Sequence, residues 1–138
     1  MCLQAFIVLG DQPEGQMTVK RLKDIQGKEC IFITYNIPSG IQTEAHPNPG
    51  KPFTGLQAES WLPNEQWVYS GVCLRGQKVL KLLKRAFEQK LIFTVAATPG
   101  APDRVVFTDI PHARNFYECS GDDFLGNVTE ALKDKFIE

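Results

Sequence analysis

The stretch YNIPSGIQTEAHPNPGKPFTG, Tyr35 to Gly55, decides how this chain folds. It carries four prolines, Pro38, Pro47, Pro49 and Pro52, and one of the two histidines, His46. Each proline fixes φ and removes a backbone donor, so neither a helix nor a central strand is expected here. Residues before the prolines are pushed to extended shapes, and Gly50 permits a turn just after Pro49. A loop of this length, preset in shape, is expected to be ordered, either as a rigid cap over one edge of the core or as part of a site.

Regular elements flank the loop. Cys30-Ile31-Phe32-Ile33-Thr34-Tyr35 is rich in β-branched and aromatic residues and makes the strongest strand. Upstream, Met17 to Leu22 alternates apolar with basic residues as an edge strand does, and Lys23 to Lys28 is a polar connection. Leu3 to Leu9 reads as a further strand, closed by the turn-rich Gly10 to Gly15. Downstream, Gln77 to Lys90 is a helix with Val79, Leu82, Leu83, Ala86 and Phe87 on one stripe. Its Lys78, Lys81, Lys84 and Arg85 fall off that stripe, toward solvent or an acidic partner. Leu91 to Val95 and Arg104 to Phe107 form a hairpin across a Pro/Gly turn. After Ile110-Pro111-His112 an irregular stretch runs to Gly121. Asp122 or Asp123 then caps a last helix whose Phe124, Leu125, Val128, Leu132 and Phe136 share a face. The order of elements predicts an α+β fold: a mixed sheet with hairpins, two main helices and a long proline-rich ordered loop.

The totals fit one globular domain. The chain has 138 residues, 43% apolar and 22% charged, with a net charge of -1. That charge gives no nucleic-acid signal and no attraction to acidic membranes. The apolar start lacks a basic n-region and is too short to span a bilayer. Cys2, Cys30, Cys73 and Cys119 are widely spaced, with no C-x-x-C pair, so they read as reduced intracellular thiols, not as a zinc set or a disulfide framework. Cys30 is expected to be packed in its strand.

Catalytic chemistry is thinly marked. There is no Walker loop and no G-x-G-x-x-G, and Asp122-Asp123 is explained as a helix cap. Cys119 lies near His112 in sequence, the one candidate thiol–imidazole pair for a cysteine hydrolase.

Three segments carry a resemblance. Gly10-Asp11-Gln12-Pro13-Glu14-Gly15-Gln16-Met17, the loop residues Gly40-Ile41-Gln42, Glu44 and His46 to Lys51, and Gly76 to Leu83 with Leu91 to Val95 together resemble the Deltex C-terminal domain. The wording is closest to the Deltex-3-like branch of these E3 ubiquitin ligases, whose members partner a poly(ADP-ribose) polymerase. The resemblance runs from about Gly10 to the C-terminus. It implies residues 12–138 as the domain, with 1–11 as a strand and a remnant of the junction to a RING. It also implies a cytoplasmic or nuclear setting in ubiquitin and Notch signalling, and a pocket for NAD or ADP-ribose with no tightly bound cofactor. In the family the stiff loop is part of the fold's signature, a pre-shaped wall.

The departures bear on activity. The cysteines here cannot form a RING, so the chain is not expected to act as a ubiquitin ligase alone. The family's histidine pair becomes Pro111-His112. Thr98 falls near a family pocket serine, and Tyr117 at a position for stacking on a base or ribose. The resemblance therefore implies Thr98, His112 and Tyr117 as ligand-binding residues. The family's general-base glutamate aligns with Ala131; the adjacent Glu130 is rotated by about 100° on a helix and points elsewhere. No catalytic residue is assigned, and impaired catalysis is expected. An insert, Trp67 to Leu74, either meets a partner or folds back on the core. Two functions follow. One is a domain that binds ADP-ribose, NAD or ADP-ribosylated proteins beside a Deltex-family RING ligase or an ADP-ribosyl polymerase. The other is a pocket-impaired interaction module that pairs or competes with Deltex-family ligases.

Overall fold

The computed structural model describes residues 9–23, 27, 29–63, 66–67, 73–97, 99–115, 118 and 124–138. Nine strands and two helices are defined among them. The central sheet has order β1-β2-β5, built from β1 (Gln16–Lys23), β2 (Glu29–Ile37) and β5 (Leu56–Pro63), all antiparallel. β2 is the middle strand because its inward residues are the most apolar: Ile31, Ile33, Tyr35 and Ile37 are all buried. β1 is the expected edge strand, with Met17 and Val19 half-buried and its basic residues exposed. Cys30 is packed as expected, its thiol donating to the Leu22 carbonyl.

β5 is the element the sequence reading omits. Its inward set is Leu56, Ala58, Ser60 and Leu62, and only two of those four are large apolar residues. Pairing with β2 makes it a strand regardless, since tertiary context overrides weak local preference.

Helix α1 (Arg75–Glu88) buries Val79, Leu80, Leu82, Leu83 and Ala86 and leaves Lys78, Lys81, Lys84 and Arg85 exposed, as its spacing predicts. It packs on α2 (Phe124–Lys133), which buries Leu125, Val128 and Leu132. Both helices stop in the same way. The residues after α1 and α2, Lys90 (φ 61°) and Phe136 (φ 64°), turn left-handed. The next amide then reaches back five residues, Leu91 N–H to the Ala86 carbonyl and Ile137 N–H to that of Leu132, both 2.9 Å. This is the Schellman arrangement, with a buried apolar residue just beyond the turn. It corrects the placing of Phe136 on the apolar face: Phe136 is 75% exposed, and Ile137 fills the core in its stead.

The expected hairpin forms between β8 (Phe93–Ala96) and β9 (Arg104–Phe107). A short antiparallel pair, β6 (Gln66–Trp67) with β7 (Cys73–Leu74), closes the insert; its tip and side chains lie outside the described residues, as does the strand expected at residues 3–8.

The proline loop is stiff for two reasons, and proline is only one. Its ends pair as β3 (Gly40–Ile41) and β4 (Pro52–Phe53). Between them Gln42 is buried and bonded through both atoms of its side-chain amide and through its backbone. Its Nε2 donates to Asp103 (2.7 Å), its Oε1 accepts the Asn48 amide (3.0 Å), and its backbone bonds Lys51 and Gly50. Asn48 Nδ2 donates to the same Asp103 oxygen. These two amides, Gln42 first, hold the Asp103 carboxyl below its ordinary range. Losing both side-chain bonds in Gln42→Ala is expected to cost about 2 kcal/mol in urea unfolding, with an unchanged slope. A loss under about 0.5 kcal/mol would leave the prolines as the loop's sole support.

Residues 10–12 fasten the other side of the loop. Gly10 N–H bonds the Gln89 carbonyl, and buried Gln12 accepts the amides of Ile92 and Phe93 while donating to the Phe87 carbonyl. Asp11 takes the Thr94 hydroxyl on its carboxylate and His46 Nε2–H on its carbonyl (2.7 Å). The end of α1, the start of β8 and the distant His46 of the loop thus meet on three residues.

Candidate functional site

A groove of about 480 Å³ opens between the start of β5 and β9. Thr54 joins β9 by a parallel bridge: its N–H bonds the Asp103 carbonyl and its own carbonyl accepts the Val105 amide, both 2.9 Å. Beyond that bridge Leu56, Val106 and Phe107 line one end, while Thr54, Pro102 and Arg104 line the other. The groove is open to solvent and its lining is mostly apolar, with Thr54 and Arg104 as its polar side chains.

Behind Phe107 stands a cluster of rings. Phe107 lies 4.7 Å from Phe93 and 4.5 Å from His112 between centroids, and Tyr35 meets Phe93 edge-on at 5.0 Å. β2 supplies Tyr35, the hairpin supplies Phe93 and Phe107, and the segment after β9 brings in His112. His112 is therefore set by the fold and not by a local motif.

The imidazole has a defined tautomer. Nδ1 lies 2.9 Å from the Ile110 carbonyl, which only accepts, so Nδ1 carries the proton. Nε2 is then the acceptor of the Tyr35 hydroxyl at 3.1 Å. Burial pushes the His112 pKa down to about 4, partly opposed by the Ile110 carbonyl, and burial likewise pushes the Tyr35 phenol up. His112 is neutral near pH 7 with both nitrogens committed to the protein. It braces Phe107 and leaves no nitrogen for a thiol, so the described geometry gives no support to a cysteine hydrolase.

Of the other expected residues, Thr98, Tyr117 and Cys119 lie outside the described residues, as do the proposed caps Asp122 and Asp123. Ala131 is half-buried against the core and Glu130 exposed, the divergence that one helical step produces. Sequence reasoning passed over Thr54, Leu56, Arg104, Val106 and Phe107 as site residues. Nothing in a four-residue strand marks which face will border a groove.

Among the described residues no helix is long and apolar enough to cross a membrane. The chain matches the Deltex C-terminal domain over residues 9–137 and belongs to that family. Its relatives include E3 ubiquitin-protein ligase DTX1 of Homo sapiens, 40% identical over 115 residues covering 78% of this chain and 17% of that protein. Probable E3 ubiquitin-protein ligase DTX3 of Homo sapiens is 34% identical over 122 residues, 83% of this chain and 32% of that protein. E3 ubiquitin-protein ligase DTX4 of Mus musculus is 36% identical over 115 residues. The chain spans less than a third of the length of these curated relatives.

Proposed function

We propose that this domain binds ADP-ribose or NAD, free or on an ADP-ribosylated protein, and presents it in the setting of a Deltex-type ubiquitin ligase. The observation that carries the reading is the groove of about 480 Å³ at β9, lined by Thr54, Leu56, Pro102, Arg104 and Val106. Family membership along the whole domain supports the ubiquitin-ligase context. The domain's part is recognition: Ala131 stands where the resemblance implies a glutamate base, so the described residues supply no general base there.

Isothermal calorimetry tests this directly. ADP-ribose is expected to bind with micromolar affinity, roughly -8 kcal/mol, and the stacking variant Tyr117→Ala to weaken it. No heat with millimolar ADP-ribose or NAD would overturn the reading. The second reading, an interaction module for a Deltex-family partner, is favoured by the exposed cationic face Lys78, Lys81, Lys84 and Arg85 on α1. It would take over if the ligands fail and charge reversal on α1 abolishes capture of a Deltex-family ligase.

A further inference from the structure

We propose that Phe136 anchors a protein-docking surface that continues along the cationic flank of α1, and that its partner is an acidic face with an apolar pocket on a Deltex-family ligase. The inference deepens the interaction reading above and rests on it.

Phe136 is an outlier in two respects. Its φ of 64° lies in the left-handed region, where a bulky side chain is strained and glycine is the usual occupant. Its ring is also 75% exposed, the most exposed of the large apolar side chains among the described residues. Neither property serves the fold. Ile137 fills the core beyond the turn, and the amides of Phe136 and Ile137 close it through backbone bonds that glycine would make as well. Lys90 holds the matching place after α1, but its side chain has a local partner, Glu14 at 3.6 Å. An aromatic ring held in water by a strained backbone points to a contact residue.

The charges beside it define the kind of contact. Arg85 donates to the Glu138 carbonyl at 2.6 Å, so the turn that carries Phe136 abuts the C-terminal half of α1. From Arg85, Lys81 and Lys78 follow at i−4 and i−7, all exposed, on one line along the helix about 10 Å long. Near its far end Arg21 of β1 reaches Gln77 at 3.2 Å and adds a further cation. Among the described residues Arg21, Lys78 and Lys81 make no ion pair. The acids nearby in sequence are Glu88 on α1, and Asp134 and Glu138 on either side of Phe136. Like charges at this spacing weaken a helix, and a cation as near the N-terminus as Lys78 opposes the macrodipole. Both costs are relieved when a partner's carboxylates face the line. An apolar anchor at the end of a cationic line fits a pocket rimmed by acids. The matching segment is 17% of DTX1 and 32% of DTX3, so in such ligases this domain type stands beside several times its own mass of other protein.

Surface plasmon resonance over immobilised DTX1 tests this on the intact chain, for the wild type, Phe136→Gly and the double variant Lys78→Glu with Lys81→Glu. Glycine suits the left-handed turn, so Phe136→Gly is expected to hold or raise the thermal midpoint and yet bind about tenfold or more weakly, at low and high salt alike. The lysine variant is expected to lose binding at low salt, with the wild type falling toward it as salt screens the charges. If Phe136→Gly binds as the wild type does, or its thermal midpoint falls, the anchor is overturned while the interaction reading stands. If the lysine variant binds as the wild type does at low salt, the acidic partner face is overturned. If the wild type does not bind DTX1, the interaction reading itself has failed.

Discussion

Gly55→Ala is expected to destabilise the domain by about 3 kcal/mol or more, at the upper end of what overpacking does. Gly55 joins β4 to β5 and borders the groove. A methyl group there would overlap the Ile37 carbonyl oxygen and lie 2.6 Å from both the Pro38 carbonyl carbon and the Ser39 nitrogen. All three obstacles are backbone, so no rotamer change relieves them. The Ser39 hydroxyl also accepts the Gly55 amide at 2.8 Å, clamping the two segments together. The only relief is to part the end of β2 from the start of β5. Gly100 makes the contrast: its φ is +78° but nothing lies near its Cβ direction, so Gly100→Ala costs only the left-handed strain, about 1–2 kcal/mol. Guanidinium unfolding of both variants checks this, and a smaller loss for Gly55→Ala than for Gly100→Ala would refute the close approach.

The second large effect is on pH. Burial holds His112 near a pKa of about 4 in the folded chain against an ordinary 6.5, so the folded state binds fewer protons than the unfolded state between those values. The contribution is whole above about pH 6.5, declines as pH falls through the window, and is lost by pH 4 or just below. The difference of about 2.5 units corresponds to about 3 kcal/mol. Asp103 and Asp109, both with lowered pKa, add their own loss only at lower pH, as they pick up protons near and below the ordinary carboxylate range. The discriminating variant is His112→Gln. It starts less stable at pH 7, having lost the Tyr35 arrangement, but its stability should stay nearly level from pH 6.5 to 4. A decline parallel to the wild type would assign the acid sensitivity to some other group.

Much of this fold is legible in the sequence, for identifiable reasons. β2, α1 and the β8–β9 hairpin are strongly periodic, and the apolar face they predict is the face they bury. β5 is not, because Ala58 and Ser60 face inward and only pairing with β2 gives them a place. Phe136 was misplaced because the apolar period runs on past Lys133, whereas the backbone turns at Phe136 itself. The groove was not legible, since its lining residues Thr54, Leu56, Arg104 and Val106 carry no local mark. The partners that fix the site's chemistry, Tyr35 with His112 and Gln42 with Asp103, are 77 and 61 residues apart. No local pattern joins residues so distant. The prolines announced a rigid loop, but the glutamine that bonds it together looked like any other polar residue.

The knot at residues 10–12 has a mechanical consequence. From Asp11 a chain of short bonds passes through His46 into the loop, through Gln42 to Asp103, and so to the peptide that carries Arg104. A pull on the backbone at Gly10 is borne by its bond to Gln89 and by those of Gln12 to Phe87, Ile92 and Phe93. It is delivered as a load to the end of α1, to the root of the hairpin and, along that line of bonds, to the rim of the groove.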